Sequence, residues 1–246
     1  MEHRSEPRIF PIPAPGQVVG KGVAKSFMAN VFLWMFGALG ISALAAYLFA
    51  TNDALMAQLI GPNGLTGLGK VVMFAPLGFV LIMSFGYARL SAPVLSALFF
   101  IYAAITGISL SFILLAYTPG SVVTCFVSSA AMFGVMGFLG YTTDKDLTSF
   151  GRIMTMGLIG LVIAMLINFF MRSSGLDYLI SIVGVAVFTG LTAWDVQKLK
   201  RIGEGIEFEG AAARDVKKLA VLGALTLYLD FINLFLFMLR LFGRRD

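Results

Sequence analysis

Long apolar blocks separated by short charged segments dominate the sequence from about residue 27 onward. A helix needs about 20 mostly apolar residues to cross a hydrocarbon core of roughly 30 Å, and seven blocks approach or meet this length. None of them alternates apolar and polar residues as the strands of a membrane barrel do. The pattern therefore predicts an all-α integral membrane protein with seven transmembrane helices. The predicted spans cover residues 27–50, 71–89, 93–117, 121–141, the block between Arg152 and Arg172, 177–198 and 219–239.

This pattern divides the chain into three regions. Residues 1–26 form a polar N-terminal tail that contains four prolines, which argue against a helix there. Residues 27–241 form the transmembrane domain, and residues 242–246 form a short basic C-terminal tail. We expect the N-terminal tail to be unstructured, with a handle for a partner protein as the alternative.

Lysine and arginine residues sit at the ends of the apolar blocks, so the net charge of +5 indicates membrane topology rather than nucleic-acid binding. They are concentrated in the N-terminal tail and in residues 198–218, which places both on the cytoplasmic side. The arginines after residue 239 leave open whether the last block crosses the membrane or re-enters it. Charge favours re-entry, whereas 21 helical residues span about 31 Å and favour a crossing.

Composition narrows the function. A hydrophobic fraction of 59%, a charged fraction of 13% and a mean hydropathy of +0.90 exclude a soluble enzyme and a disordered chain. Cys125 is the only cysteine and cannot form an internal disulfide, and His3 is the only histidine, which excludes sites that need two imidazoles. The sequence therefore predicts no cofactor and no enzymatic activity.

Two acidic residues lie within the apolar blocks, where an ionised group costs free energy because it is removed from water. Asp230 is eleven residues into the last block, near the bilayer midplane, and Asp195 lies closer to the cytoplasmic edge, three residues before Lys198. An ionisable residue inside a bilayer points to function by default. Asn233 shares the face of Asp230 and is a candidate pore-lining polar residue. The predicted boundaries separate the two acids by about 13 Å in depth, so a direct pair needs a longer sixth span, a later seventh span or a tilt.

Four segments resemble known signatures. GLTAWDVQKLK at 190–200 and ALTLYLDFINLFLFMLRLFG at 224–243 resemble the two signature regions of the Bax inhibitor-1 family, also called the transmembrane Bax inhibitor motif family. ARLSAPVLSALFFIYAAITG at 88–107 and YTTDKDLTSFG at 141–151 are similar to its bacterial branch. The resemblance extends from about residue 20 to the end, and it implies six helices around a central C-terminal seventh.

The same resemblance implies a role for the two acids. Asp195 and Asp230 correspond to a proton-sensitive gating pair on a cation pathway, with calcium as the transported and weakly, transiently bound ion. An arginine on the second helix latches to this pair in the closed state, and Arg89 is the candidate. The resemblance thus predicts a pH-sensitive calcium leak in the inner (plasma) membrane of a bacterial cell, with protons, calcium and the lipid bilayer as partners.

Carboxyl chemistry agrees with this role, because two carboxyl groups in one dry site cannot easily both ionise. One alternative is a regulator without transport, which restrains a membrane-bound quality-control protease as a stress-response or cell-death-suppressing protein. An aspartyl intramembrane protease would need a Gly-x-Gly-Asp motif. The residues before Asp195 and Asp230 do not form one.

Overall fold

The computed structural model describes residues 21–86, 89–209 and 213–245 and consists almost entirely of helices. Six helices are long and apolar enough to cross a bilayer, and α3, which contains Pro76, is a shorter apolar helix. The elements in chain order are α1 (Lys21–Thr51), α2 (Asp53–Leu59), β1 (Ile60–Gly61), β2 (Gly64–Leu65), α3 (Gly67–Gly86), α4 (Ala92–Ala116), α5 (Pro119–Thr142), α6 (Thr148–Met171), α7 (Ser174–Glu209) and α8 (Ala213–Phe242). The prediction of an all-helical membrane protein is confirmed.

The last two helices are the most deeply buried elements. In their most apolar stretches 61% of α7 and 67% of α8 is buried, against 6% of α6. Helix α8 packs against α7, α1, α5 and α4. An apolar helix buried on most sides lies inside the bundle, whereas α6 turns most of its surface outward. The structure therefore carries the two candidate acids on its two innermost helices.

Small residues allow the helices to approach closely. A Cβ atom added at Gly107 of α4 would collide with the backbone of Ser42 on α1. One added at Gly140 of α5 would collide with the backbone of Ala193 on α7. Such contacts hold membrane helices together, because the lipid provides no hydrophobic drive for helices to associate.

The segment between α1 and α3 contains elements that the hydropathy pattern does not predict. Asn52 caps α2 by accepting hydrogen bonds from the backbone N–H groups of Ala54 and Leu55. A two-stranded antiparallel hairpin follows, pairing Ile60 with Leu65, and Gly64 adopts a φ of 101° that favours glycine. The hydropathy pattern does not reveal these elements because they are short and bury little apolar surface.

Helix boundaries differ from the predicted spans chiefly around residues 198–218. These residues were predicted to form a loop, but α7 continues to Glu209 and α8 begins at Ala213. At the other end of the chain α1 begins at Lys21, inside the predicted N-terminal tail, of which residues 1–20 lie outside the described residues. Charged residues ended the predicted spans, although charged helical turns can continue into the head-group region.

Helix α8 is one continuous helix of 30 residues. At 1.5 Å per residue it is about 45 Å long, more than the thickness of a hydrocarbon core. A re-entrant segment needs a turn that reverses its direction, and α8 contains none. Its geometry is therefore that of a crossing helix.

Candidate functional site

Asp195 of α7 and Asp230 of α8 face each other between the two innermost helices. Their carboxyl groups are within hydrogen-bonding reach, and the two residues are only 6% and 5% exposed. A hydrogen bond between two carboxyl groups requires one of them to hold a proton and donate it. Two carboxyl groups this close together, with so little access to water, cannot easily both ionise.

Contacts on either side of the pair fix the antiparallel register of α7 and α8. On one side the rings of Phe188 and Phe237 stack with centroids 5.8 Å apart, and Phe237 also covers Gly184. On the other side Leu199 packs over Gly223, where an added Cβ would lie 2.6 Å from Leu199 Cδ2. A shift by one helical turn would separate a ring or a leucine from the glycine that makes room for it.

This register removes the 13 Å difference in depth that the predicted spans imply. Helix α7 continues for fourteen residues beyond Asp195, and α8 begins seventeen residues before Asp230, so neither acid lies near a helix end. The longer sixth span that a direct pair required is present. The predicted depths of the two acids were wrong because they were counted from span ends placed at the first charged residues, whereas both helices continue beyond those residues.

Few polar groups surround the pair. Asp230 Oδ2 is buried, and it has no hydrogen-bond partner among the described residues. The Asn233 side chain donates to the backbone oxygen of Leu229 at 2.8 Å. Lys198, three residues after Asp195 on α7, is a cation whose charge acts on the Asp195 carboxyl. With no other donor, Asp230 depends on its companion acid.

A cavity of about 540 Å³ opens beside the pair, between α6, α7 and α8. Its wall is mostly apolar. The two acids, Asn233, Thr155 and Thr226 contribute polar groups to the wall, and Arg240 is the only cation in it. Arg240 Nη1 lies 3.5 Å from Asp177 Oδ1 and joins α8 to the start of α7 at the end of the cavity away from Asp195. The cavity thus runs from the acid pair to an ion pair.

Arg89 lies in the turn between α3 and α4, and its side chain is exposed. The ion pairs found in the described part of the chain join Lys200 to Glu204, Arg201 to Asp146 and Arg240 to Asp177. Arg89 takes part in none of them and does not line the cavity beside the two acids. The structure thus brings Asp195, Asp230 and Asn233 to one cavity and leaves Arg89 outside it.

Hydrogen bonds across the bundle support α8 close to the site, and sequence reasoning missed them. The hydroxyl groups of Tyr228 on α8 and Ser42 on α1 share a hydrogen bond of 2.7 Å, and Ser42 Oγ also donates to Ala103 O on α4 at 2.7 Å. The Tyr228 ring packs edge-on against Phe99 and Tyr102. A tyrosine two residues before the acid was a signal for such an anchor, since a buried hydroxyl needs a partner.

Within residues 21–86, 89–209 and 213–245 no three His, Cys, Asp or Glu side chains come together to hold a metal ion. Two carboxyl groups supply at most four oxygen ligands, whereas calcium takes six to eight. A cation at the pair would have to keep water in its coordination shell.

Fold and site together define a class: a multi-pass helical membrane protein with a carboxyl pair buried between its last two helices. The profile of the family described as "Inhibitor of apoptosis-promoting Bax1" matches residues 24–246, and the chain belongs to this Bax inhibitor-1 family. Inner membrane protein YbhL of Escherichia coli (strain K12) is 44% identical over 221 residues, covering 90% of this chain and 92% of the relative.

Two further relatives show how widely the sequence extends among bacteria. Uncharacterized protein RP147 of Rickettsia prowazekii (strain Madrid E) is 40% identical over 222 residues, covering 90% of each chain. An uncharacterized protein of Borreliella burgdorferi is 42% identical over 224 residues, covering 91% of this chain and 94% of the relative. The similarity spans nearly the whole length in each case, so the family assignment covers the entire bundle.

Proposed function

We propose that the protein is a pH-sensitive, calcium-permeable leak channel of the bacterial inner membrane, gated by Asp195 and Asp230. The observation that carries the proposal is the burial of two neighbouring carboxyl groups between the innermost helices, next to a cavity. Intramembrane acids that face a cavity are typical of ion and proton pathways.

In the proposed topology α3 is the shortest of seven crossings, α8 lies at the centre, and the N-terminus is cytoplasmic. Helices α1 and α4 to α8 have sufficient length, and α3 at 20 residues is about 30 Å long. With this orientation the α5–α6 segment and the α7–α8 junction face the cytoplasm, whereas Asp177 and Arg240 face the periplasm. The name of the Escherichia coli relative supports the inner membrane as the location.

Proton loss is the proposed opening step. With one shared proton the two carboxyl groups hold α7 and α8 together. When that proton leaves, two negative charges face each other in a site with few polar neighbours, and their repulsion pushes the helices apart. The same charges offer oxygen ligands to calcium, and a site with only two protein carboxylates releases the ion readily, as conduction requires. Acid therefore closes the pathway and alkali opens it.

The charged groups that face the pair set the limits of this mechanism. Lys198 lies next to Asp195 on α7, and Arg240 lies at the far end of the cavity on α8. Arg89 is the latch in this proposal, and because it is exposed in the α3–α4 turn, it can reach the pair only if that turn moves inward.

Calcium release from vesicles tests the gate. Purified protein is reconstituted into vesicles loaded with calcium and a fluorescent indicator, and the leak rate is measured from pH 5 to pH 8. We expect the wild type to leak faster as the pH rises, and Asp195→Asn and Asp230→Asn to flatten this dependence. Asp53→Asn, which removes an exposed acid at the start of α2, is the matched control and keeps the wild-type profile.

Two outcomes decide against the gate. A wild-type pH profile in both pair variants would show that the carboxyl groups do not control the leak. A wild-type protein that retains calcium at every pH would favour the non-transporting regulator, for which co-purification with a membrane-bound protease is the next measurement.

A further inference from the structure

A second cavity, of about 370 Å³, lies at the cytoplasmic end of α7 in the proposed orientation, and two basic side chains line it. The residues that line it are Thr148, Trp194, Gln197, Lys198, Arg201 and Ile202. Trp194 also lines the apolar cavity beside the acid pair, so its indole ring separates the two spaces. Both volumes fall within the range of roughly 300–1,000 Å³ that is typical of ligand sites.

This boundary lies towards the cytoplasmic surface of the membrane in the proposed orientation. Trp194 is twenty residues from the first residue of α7, which is about 30 Å along the helix. Tryptophan is enriched near the interfaces of a bilayer. Lys198 lies one turn further towards the cytoplasm, with its ammonium group 5.1 Å from the centre of the Trp194 ring.

The positive charge of the second cavity is only partly neutralised. Arg201 Nη1 pairs with Asp146 at 2.9 Å, which reduces what its guanidinium offers to a ligand. Lys198 is exposed, and it takes part in none of the ion pairs found among the described residues. An anion at the level of Trp194 would meet the Lys198 ammonium directly. The Thr148 hydroxyl in the same wall donates to Asp146, and the Gln197 amide is bonded to the backbone of Lys145 and Leu147, so Lys198 is the main anchor.

We propose that one anionic phospholipid of the cytoplasmic leaflet binds here, with its phosphate beside Lys198 and Arg201 and an acyl chain in the apolar crevice between α6 and α8. A cavity lined by two basic side chains, which meets an apolar cavity at a tryptophan, matches the two halves of such a lipid. The acyl chain would lie against the acid pair and keep water away from it. The lipid site itself is independent of the proposed leak, whereas any effect of the lipid on gating rests on it.

Tryptophan fluorescence provides a direct test, because the chain contains only Trp34 and Trp194. Trp34→Phe leaves Trp194 as the sole reporter. This variant is reconstituted into phosphatidylcholine vesicles that contain increasing fractions of phosphatidylglycerol or phosphatidylcholine brominated on the acyl chains. We expect brominated phosphatidylglycerol to quench Trp194 at a fraction about fivefold lower than brominated phosphatidylcholine, since one basic residue at an anionic surface is worth about that factor.

Variants of the charged wall separate binding from simple proximity to lipid. Lys198→Gln is expected to remove the preference for phosphatidylglycerol, and Lys198→Arg to retain it. Lys25→Gln, which removes an exposed charge from α1 at the same end of the molecule, is the matched control and keeps the preference. Equal quenching by the two brominated lipids in the Trp34→Phe protein would overturn the proposal.

A competition arm identifies the source of the phosphate. Millimolar inorganic phosphate, compared with sodium chloride at the same ionic strength, should leave the preference unchanged if the acyl chain contributes to binding. Loss of the preference in phosphate alone would show a site for free anions and would overturn the lipid proposal.

Native mass spectrometry of the wild-type protein supplies a second measurement in case Trp34→Phe does not fold. It should retain one phosphatidylglycerol molecule more often than one phosphatidylcholine molecule, again by about fivefold. Equal retention overturns the proposal. Neither measurement uses calcium, so a failure here and a failure of the leak experiment are distinguishable.

Discussion

Gln197 of α7 binds the backbone of Leu147 across fifty residues of sequence, accepting a hydrogen bond from its N–H group at 2.8 Å. The same side-chain amide donates to the backbone oxygen of Lys145 at 2.8 Å. One buried amide therefore holds the segment between α5 and α6 against α7, two residues after the acid of the candidate gate. This segment cannot move without changing the surroundings of Asp195.

Gln197→Ala should destabilise the protein by about 1–3 kcal/mol, because it leaves a backbone donor and a backbone acceptor without partners in a partly buried site. Thermal unfolding in detergent measures the effect. Gln58→Ala on α2 is the matched control, since the Gln58 side chain is exposed and only the Gln58 backbone oxygen accepts a hydrogen bond, from the Thr66 hydroxyl. Equal unfolding temperatures for the two variants would contradict the role of Gln197.

Asp146 lies in the same segment, and unlike the proposed gate it is expected not to titrate in the pH range of the leak experiment. Hydrogen bonds from the side chain and backbone of Thr148, together with Arg201, lower the pKa of the Asp146 carboxyl to about 2. Because the pKa of Asp146 is lower in the folded state than in the unfolded state, the ionised carboxyl stabilises the folded protein. This stabilisation is complete above about pH 4 and is lost as the pH falls through about 2. Asp146 is therefore ionised throughout the range from pH 5 to pH 8.

Asp146→Asn should accordingly leave the pH profile of calcium leak unchanged, because the wild-type residue does not titrate in that range. Hydrogen exchange at the start of α6 is expected to increase in this variant, since the amide loses the charge that pairs with Arg201. A leak profile altered as strongly as that of Asp230→Asn would transfer the pH sensor from the buried pair to this exposed segment.

Arg240 and Asp177 should restrict access to the cavity from the end away from Asp195. Their ion pair joins α7 to α8 where the cavity opens, and it is only partly exposed. We expect Arg240→Gln and Asp177→Asn each to raise the leak rate at pH 6 about two- to fivefold, the factor that an ion pair of about 0.5–1 kcal/mol provides. The double variant should leak no faster than either single one, because both remove the same contact.

Arg172→Gln is the control for this comparison. Arg172 ends α6 in a left-handed conformation, lies outside the cavity wall and is exposed. A comparable acceleration in Arg172→Gln would attribute the effect to the loss of surface charge rather than to the ion pair.

Sequence reasoning predicted the helical bundle because a bilayer imposes its thickness on every crossing helix. It also identified Asp195 and Asp230, since an acid in an apolar block stands out without any knowledge of packing. The positions of the helix ends were less accurate. Lys198 ended the predicted sixth span, although α7 continues past it because long basic side chains tolerate the membrane surface.

The sequence could not predict which helices meet, since that depends on contacts between residues far apart in the chain. The partnership of Ser42 with Tyr228 joins α1 to α8 across 186 residues. The docking of the chain end on the α4–α5 turn is of the same kind: Arg244 N–H donates to Ser121 Oγ at 3.0 Å, and Thr118 N–H donates to Arg244 O at 3.0 Å. Such long-range pairs leave no periodic pattern in the hydropathy of the sequence. Residues 242–246 were therefore predicted only to form a basic tail.

Glycines on α5 test the link between close packing and the gate. Gly134, Gly137 and Gly140 recur every three residues, but their surroundings differ. An added Cβ would collide with the backbone of Ala193 at Gly140, would lie 3.7 Å from Val196 at Gly137 and would meet nothing within 4 Å at Gly134. Gly140→Ala should therefore cost about 1–3 kcal/mol in thermal unfolding, because backbone cannot move aside as a flexible side chain can.

Gly134→Ala is the matched control on the same helix, and it should be neutral or should stabilise the protein by up to about 1 kcal/mol, since alanine is the better helix former. Ala193 lies two residues before Asp195, so displacing α7 at this point should also weaken the carboxyl pair. We thus expect Gly140→Ala to leak calcium at a pH where the wild type and Gly134→Ala remain closed. Loss of stability with an unchanged pH profile would confine the role of Gly140 to folding and would show that the pair tolerates movement of the helix that carries it.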